Sequence, residues 1–518
     1  MSPVEIVHHP RDRVGLAQDN GPSSQAAGRV LIIGAGPAGL TAGYVLAKAG
    51  IAPLICERSD LLGGISKTET YRGYHFDMGG HRYYTKIPEI RQIWREVLGS
   101  DLLLRNRLSR IYYRGKFFDY PLHPLKAALT LGSLETLRVI LSFLYRSVRP
   151  HPTERNFAQW VTNRFGDRLF DIFFKTYTEK VWGIPTEALS ADWAAQRIRN
   201  LSLWKVVAAA IFPQANLPSS LIEQFHYPRR GPGMMWNTIA KHITSLGGRI
   251  ATNTELVQLH CDDNRIRAAT LATASQTLTI SVEHVISTAP LPDLMTAIKP
   301  RPPEHVRKAA RRLRYRDFLM VGLIIEEADL FPDNWIYVHD PQVKVGRIQN
   351  FKNWSPDMVP DARCTSLGLE YFCTVGDSLW AMSDAQLIEL AVSELAALGL
   401  CKEERVRDGR VFRVARAYPL YDERYREFVD LIRTYIQGLD NLQSIGRNGQ
   451  HRYDNQDHAM LAGRYAALNV SDNGSRDTWS INTEQAYLED ERLLPQGLLS
   501  RGRNPMRAMT NPATAQSV

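Results

Sequence analysis

The chemistry of this chain is easiest to read in the glycines and acids between residues 30 and 81. The run Val30-Leu31-Ile32-Ile33-Gly34-Ala35-Gly36-Pro37-Ala38-Gly39-Leu40 puts three glycines between an apolar strand and an apolar-faced helix. Gly34 permits the tight turn, Gly36 lets the backbone approach a pyrophosphate, and Gly39 lets helix pack on strand. Phosphate oxygens then meet the free N–H groups at the helix N-terminus. Glu57 follows at the end of the next strand, where an acid accepts the ribose hydroxyls of an adenine dinucleotide. Gly63-Gly64 supply a second close backbone approach. Asp77-Met78-Gly79-Gly80-His81 repeats that device beside a histidine.

The stretch Glu57-Arg58-Ser59-Asp60-Leu61-Leu62-Gly63-Gly64 resembles an extension seen in a large group of FAD enzymes, among them amine oxidases, carotenoid desaturases and protoporphyrinogen oxidases. The resemblance implies FAD rather than NAD. It places Gly34, Gly36, Gly39, Glu57, Arg58, Gly63, Gly64 and Gly80 along the cofactor and His81 beside the flavin.

Three later constellations are more specific. They are Tyr177-Thr178-Glu179-Lys180-Val181-Trp182-Gly183 running on to Gln196-Arg197, then Gly346-Arg347-Ile348-Gln349-Asn350, and Gly446-Arg447 with Arg452-Tyr453-Asp454-Asn455-Gln456-Asp457-His458. With Gly79-Gly80-His81 and the Tyr227-Pro228…Gly231-Pro232-Gly233 turn, the chain resembles the UDP-galactopyranose mutase family, nearest its eukaryotic branch, with gaps from about Arg29 to Val470. That resemblance implies Arg197 and Arg347 as catalytic arginines on a substrate diphosphate, with Tyr418 and Tyr453 beside them and Trp182 in the substrate cleft. His81 would sit on a loop at the isoalloxazine, Arg447, Asn455 and Gln456 beside the flavin, and Val257 at its adenine end. The uridine-contacting turn Tyr-Pro-Phe-Gln of that branch reads Tyr120-Pro121-Leu122-His123 here, so base recognition by Tyr120 and His123 departs from the family pattern.

Two guanidiniums would give a diphosphate fixed charge and bidentate donors. The implied activity is a non-redox isomerisation of a nucleoside diphosphate sugar between pyranose and furanose forms. It would run on reduced FAD through an N5–sugar adduct, with NAD(P)H a candidate reductant. The alternative is an FAD-dependent oxidoreductase of the protoporphyrinogen oxidase or amine oxidase type. A greasy substrate would need an apolar channel, where converging arginines cost desolvation energy.

The elements that must position these groups alternate along the chain. Arg29–Ile33, Ala52–Glu57, Arg249–Leu259 and Val282–Thr288 read as strands, and Ala38–Gly50, Leu125–Arg146, Asn156–Lys175 and Met234–Leu246 as helices. A polar hairpin is expected at Asp262-Asp263-Asn264. The expected fold is α/β: a Rossmann-type FAD-binding domain carrying an inserted, helix-rich α+β substrate domain. The FAD segments fall at residues 29–115, 230–300 and 430–485. The substrate segments fall at 116–229 and 301–429, and residues 1–28 and 486–518 are tails.

Composition supports an enzyme of ordinary kind. The 518 residues are 44% hydrophobic and 23% charged, and a net charge of +9 without a basic run suits an anionic cofactor and substrate better than nucleic acid. Five cysteines without CxxC spacing read as reduced thiols in a cytoplasmic protein with no metal site. Glu135 and Arg138 interrupt the apolar stretch Ala127–Leu144, which therefore reads as a packed helix and not a stable membrane insertion. A homo-oligomer is left open.

Overall fold

The computed structural model describes residues 30–120, 122, 124–191 and 223–482. Both expected tails, His123 and Arg197 lie outside the described residues.

The cofactor half is a five-stranded parallel sheet in the order Leu442–Ser444, His284–Ser287, Val30–Ile33, Leu54–Cys56, Arg249–Ala251. The central strands, so far apart in sequence, meet because they are short apolar runs, Val30–Ile33 and Leu54–Cys56 wholly buried and His284–Ser287 buried in all but its first residue, as a parallel sheet covered on both faces requires. Helices Pro37–Lys48, Gly233–Ser245 and Gln456–Ser471 pack against this sheet around a core that includes Ile32, Leu40, Trp94, Trp236 and Met460.

The second half is a seven-stranded mixed sheet in the order Val406–Pro419, Tyr315–Ile325, Thr365–Cys373, Arg347–Asn350, Trp335–Val338, Ser109–Tyr113, Lys116–Asp119. Helices from Pro124 to Trp182 lie beside the end of this sheet. This arrangement is the expected α/β fold with a parallel cofactor-binding sheet.

Local differences from the sequence reading have identifiable causes. The expected helix Leu125–Arg146 is two helices, Pro124–Leu131 and Ser133–Val148, broken at Gly132 with φ +91°. The expected Asn156–Lys175 helix is likewise interrupted at Gly166, where a β-carbon would lie 2.8 Å from the backbone of Phe143, so a close helix crossing demands glycine. Arg249–Leu259 divides at Asn253 (φ +50°) into Arg249–Ala251 in the parallel sheet and Glu255–Asp262 in a four-stranded one. The hairpin at Asp263 and Asn264 forms as expected, both residues being left-handed.

Candidate active site

A cavity of about 1620 Å³ runs from Glu57, past Gly36 and Gly64, to a cluster of arginine, tyrosine and histidine side chains between the two halves. At its first end Gly34 adopts φ +94°, and a β-carbon there would meet Thr288 Oγ1 at 2.1 Å. Gly36 and Gly64 face one another, a β-carbon on Gly64 falling 3.3 Å from Gly36 Cα. Side chains at this crossing would narrow the channel that a pyrophosphate must occupy. Glu57 is held in place by the Ala35 N–H (2.8 Å) and by the Ser59 N–H and hydroxyl (both 2.9 Å), and it lines the cavity. Arg58 lines the rim, 3.9 Å from Glu255.

Three expected cofactor residues stand behind the wall. A β-carbon on Gly39 would sit 1.9 Å from the Gly34 carbonyl, so this glycine serves helix–strand packing. Gly63 (φ +105°) backs onto Trp236. Val257 lies where the strand register shifts between Leu256 and Gln258; its side chain is half exposed, and Leu256 lines the cavity in its place.

The far wall is polar. Arg447 donates to the carbonyls of Asp454 (2.7 and 3.2 Å) and Ala417 (3.4 Å), and its guanidinium lies over the rings of Tyr453 (4.7 Å) and Tyr418 (5.6 Å). Asn455 begins the helix Gln456–Ser471. Both amide atoms of Gln456 and Oδ1 of Asn448 are buried on this wall without a partner among the described residues. Buried polar atoms rarely go unmatched, so these invite a polar ring edge. Together with the glycine crossing and Glu57, this set of polar groups fits FAD.

Beyond this wall, Arg347 stands directly across the strands from Glu370. That register creates a bidentate pair: Nε donates to Oε1 at 2.9 Å and Nη2 to Oε2, while Gln349 Nε2 also donates to Oε1 at 2.7 Å. Glu370 is fully buried. Desolvation works against the charge of Arg347, and the Glu370 carboxylate more than offsets it. Gly79 marks the point of convergence: its β-carbon would lie 3.7 Å from Arg347 Nη2, 3.7 Å from His81 Nε2 and 3.9 Å from the Tyr418 hydroxyl. Tyr418 and Tyr453 stack at 5.7 Å, within 10° of parallel. Burial, then the neighbouring Tyr453, raises the Tyr418 hydroxyl above its ordinary range, so it remains a donor. Burial, Arg447 and Arg347 together push His81 down to about 4. The imidazole is therefore neutral at neutral pH. Tyr120 lines the same cavity, edge-on to Tyr337 at 5.1 Å.

The Tyr-x-x-Lys-x-Trp block acts from behind. Tyr177 stacks on His339 at 4.8 Å, and Lys180 Nζ donates to the carbonyls of Val338, Asp340 and Val345 just ahead of Arg347. Trp182 is buried and edge-on to Tyr453 at 6.4 Å, outside the cavity lining, and so it supports a site residue instead of touching a ligand. Glu370 and Gln349 were not anticipated. The signal existed: Glu370 is the only residue of the strand Thr365–Cys373 that is charged at neutral pH, and a charge in a wholly buried strand needs a partner.

The sequence model for flavin containing amine oxidoreductases matches residues 37–470. The chain belongs to that family. It is a flavin-dependent protein, and FAD is its cofactor. Curated relatives match over short stretches. An L-amino acid oxidase of Cerastes cerastes is 37% identical over 100 residues, 18% of this chain and 17% of that protein. A 15-cis-phytoene desaturase of Synechococcus elongatus is 34% identical over 100 residues, 18% and 21% respectively. The chain thus spans about a fifth of the length of these relatives. Among solved structures, a reduced UDP-galactopyranose mutase superposes with a TM-score of 0.76 at 22% identity, covering 89% of this chain and 99% of the other. A protein of Exiguobacterium assigned as a protoporphyrinogen oxidase gives 0.65 at 16%, covering 86% and 99%. These likenesses establish the fold. No helix among the described residues is long and apolar enough to cross a membrane.

Proposed function

We propose that this protein is an FAD-dependent mutase that interconverts the pyranose and furanose forms of a nucleoside diphosphate sugar. The observation that carries this reading is the convergence of Arg347, His81 and the Tyr418 hydroxyl around Gly79, next to Arg447, in one positive, donor-rich pocket at the flavin end of the cavity. When bound and reduced, the flavin supplies the nucleophile for the anomeric carbon.

The chain's own residues do the rest. Glu370 and Gln349 hold the Arg347 fork in one orientation, so its remaining N–H groups can meet a phosphate oxygen without reorganising. Tyr418 and Tyr453 offer hydroxyl donors that add no charge, and Arg447 adds positive potential as the diphosphate leaves. His81, neutral and donating from Nε2 to the Met78 carbonyl (3.0 Å), orders the loop at the flavin face. Arg197, outside the described residues, is proposed as the second guanidinium on the diphosphate. Tyr120 and Tyr337 are proposed as the base-binding wall.

The parallel Tyr418–Tyr453 pair also suits an amine oxidase, whose substrate could lie between aromatic faces. Against that, Arg447 already covers both rings, and two guanidiniums repel an ammonium group. Calorimetry on the FAD-loaded protein tests the reading. A nucleoside diphosphate should bind at least ~100-fold more tightly than the bare nucleoside, as expected if the diphosphate makes one to two charged contacts. Equal affinity for the two would remove the diphosphate site.

A further inference from the structure

We propose that the helices Pro124–Leu131 and Ser133–Val148 form a docking face for a second copy of this chain. The second helix is fixed to its own fold along one edge, where Val139 and Phe143 are buried; Val139 packs with Ile172 and Phe173. The opposite edge is apolar and uncovered. Leu134, Leu137, Leu141, Leu144 and Val148 are all exposed and follow one another at spacings of three, four, three and four residues. That is the seam of a coiled coil, an apolar stripe whose period suits another helix. A helix that merely faced water would carry polar residues there.

The size of the face points the same way. Nine large apolar side chains of these two helices are exposed, Leu129 at 82% and Val148 at 81%. Together they present on the order of 1,000 Å² of apolar surface, against about 800 Å² that each partner gives to a standard stable interface and about 300–600 Å² for the largest patch on a monomer.

Charge selects a protein partner over a bilayer. An amphipathic helix that binds anionic lipid carries unmatched Lys and Arg along its fringe. Here three of the four basic side chains are paired, Lys126 with Asp119 at 3.0 Å, Arg138 with Glu135 at 3.3 Å and Arg146 with Asp167 at 2.7 Å, while Arg149 lies over the Tyr145 ring at 5.7 Å. A self-complementary apolar face with largely paired edges suits a two-fold axis, which would set Leu141 and Leu144 of one copy against Leu144 and Leu141 of the other, antiparallel.

Sedimentation velocity of the full-length, FAD-loaded chain should give a species of twice the 58.7 kDa chain mass. Leu141→Glu should weaken that dimer by ~100-fold or more, as loss of a central apolar anchor does, with the flavin spectrum and melting temperature unchanged. Leu141→Cys/Leu144→Cys, which sets thiol opposite thiol across the axis, should crosslink as a dimer under oxidation where the parent, with its five thiols, does not. If Leu141→Glu fails to fold, Leu137→Gln carries the same test. A monomeric parent overturns the proposal, whether the face then sediments with phosphatidylserine vesicles or is covered by other parts of the chain. An oligomer indifferent to both substitutions overturns it as well.

Discussion

Replacing Arg347 separates its two roles, because the structure ties it to a buried acid on one side and opens it to the cavity on the other. In Arg347→Met, Glu370 keeps its charge in a fully buried position with only the 2.7 Å hydrogen bond from Gln349 left to it among the three contacts described. Breaking one side of a buried ion pair costs about 3–5 kcal/mol, because a charge is left uncompensated. The single variant should therefore unfold at markedly lower urea. Arg347→Met/Glu370→Gln leaves a neutral group that still accepts from Gln349, and it should recover most of that loss. Binding should not recover: removing one charged contact to the diphosphate costs about 1.5–3 kcal/mol, roughly ten- to a hundredfold in Kd for UDP. Urea unfolding and calorimetry on the parent and both variants give the comparison. A double variant that binds UDP as tightly as the parent would refute the diphosphate contact. A single variant as stable as the parent would refute the buried pair.

Three other outcomes follow from the same geometry. Gly36→Val should yield colourless protein that takes up no FAD, since its branches would fill the gap to Gly64; absorbance after reconstitution measures it. Gly79→Ala, strained at φ +106° where Arg347, His81 and Tyr418 converge, should keep its flavin yet lose turnover by ~10-fold or more. Burial, reinforced by Lys180, pushes His339 down to about 3, below its ordinary 6.5, so the unfolded chain takes up the proton first as pH falls. This one group should remove ~2 kcal/mol of stability between pH 7.5 and pH 5. His339→Gln should lack that component, and identical pH profiles for parent and variant would contradict the buried, neutral imidazole.

The cofactor half was legible in the sequence because its signals are local. Gly34, Gly36 and Glu57 sit in one strand–helix–strand unit whose glycine and acid spacings are fixed by backbone geometry, and the structure brings them together with Gly64 as expected. The substrate half depends on contacts between distant segments. Arg347 could be named from its motif, but its partner Glu370 follows only from the register of two antiparallel strands. Trp182 and Val257 lie in motifs near the site, yet side-chain direction turns one behind Tyr453 and the other outward at a strand irregularity. Short breaks at Gly132, Gly166 and Asn253 were missed because an apolar pattern continues across them while the backbone reverses or bends.

The central claim is that a reduced flavin serves isomerisation without net redox change. The most direct measurement is anaerobic incubation of the dithionite-reduced protein with UDP-galactopyranose and a panel of related nucleotide sugars, followed by NMR of the products and titration of the remaining reducing equivalents. The account predicts a furanose isomer of at least one sugar, of unchanged oxidation state, with many turnovers for each flavin reduced. Turnover that instead consumes oxygen or NAD(P)H one-for-one and leaves a substrate two electrons more oxidised would contradict it and establish an oxidoreductase.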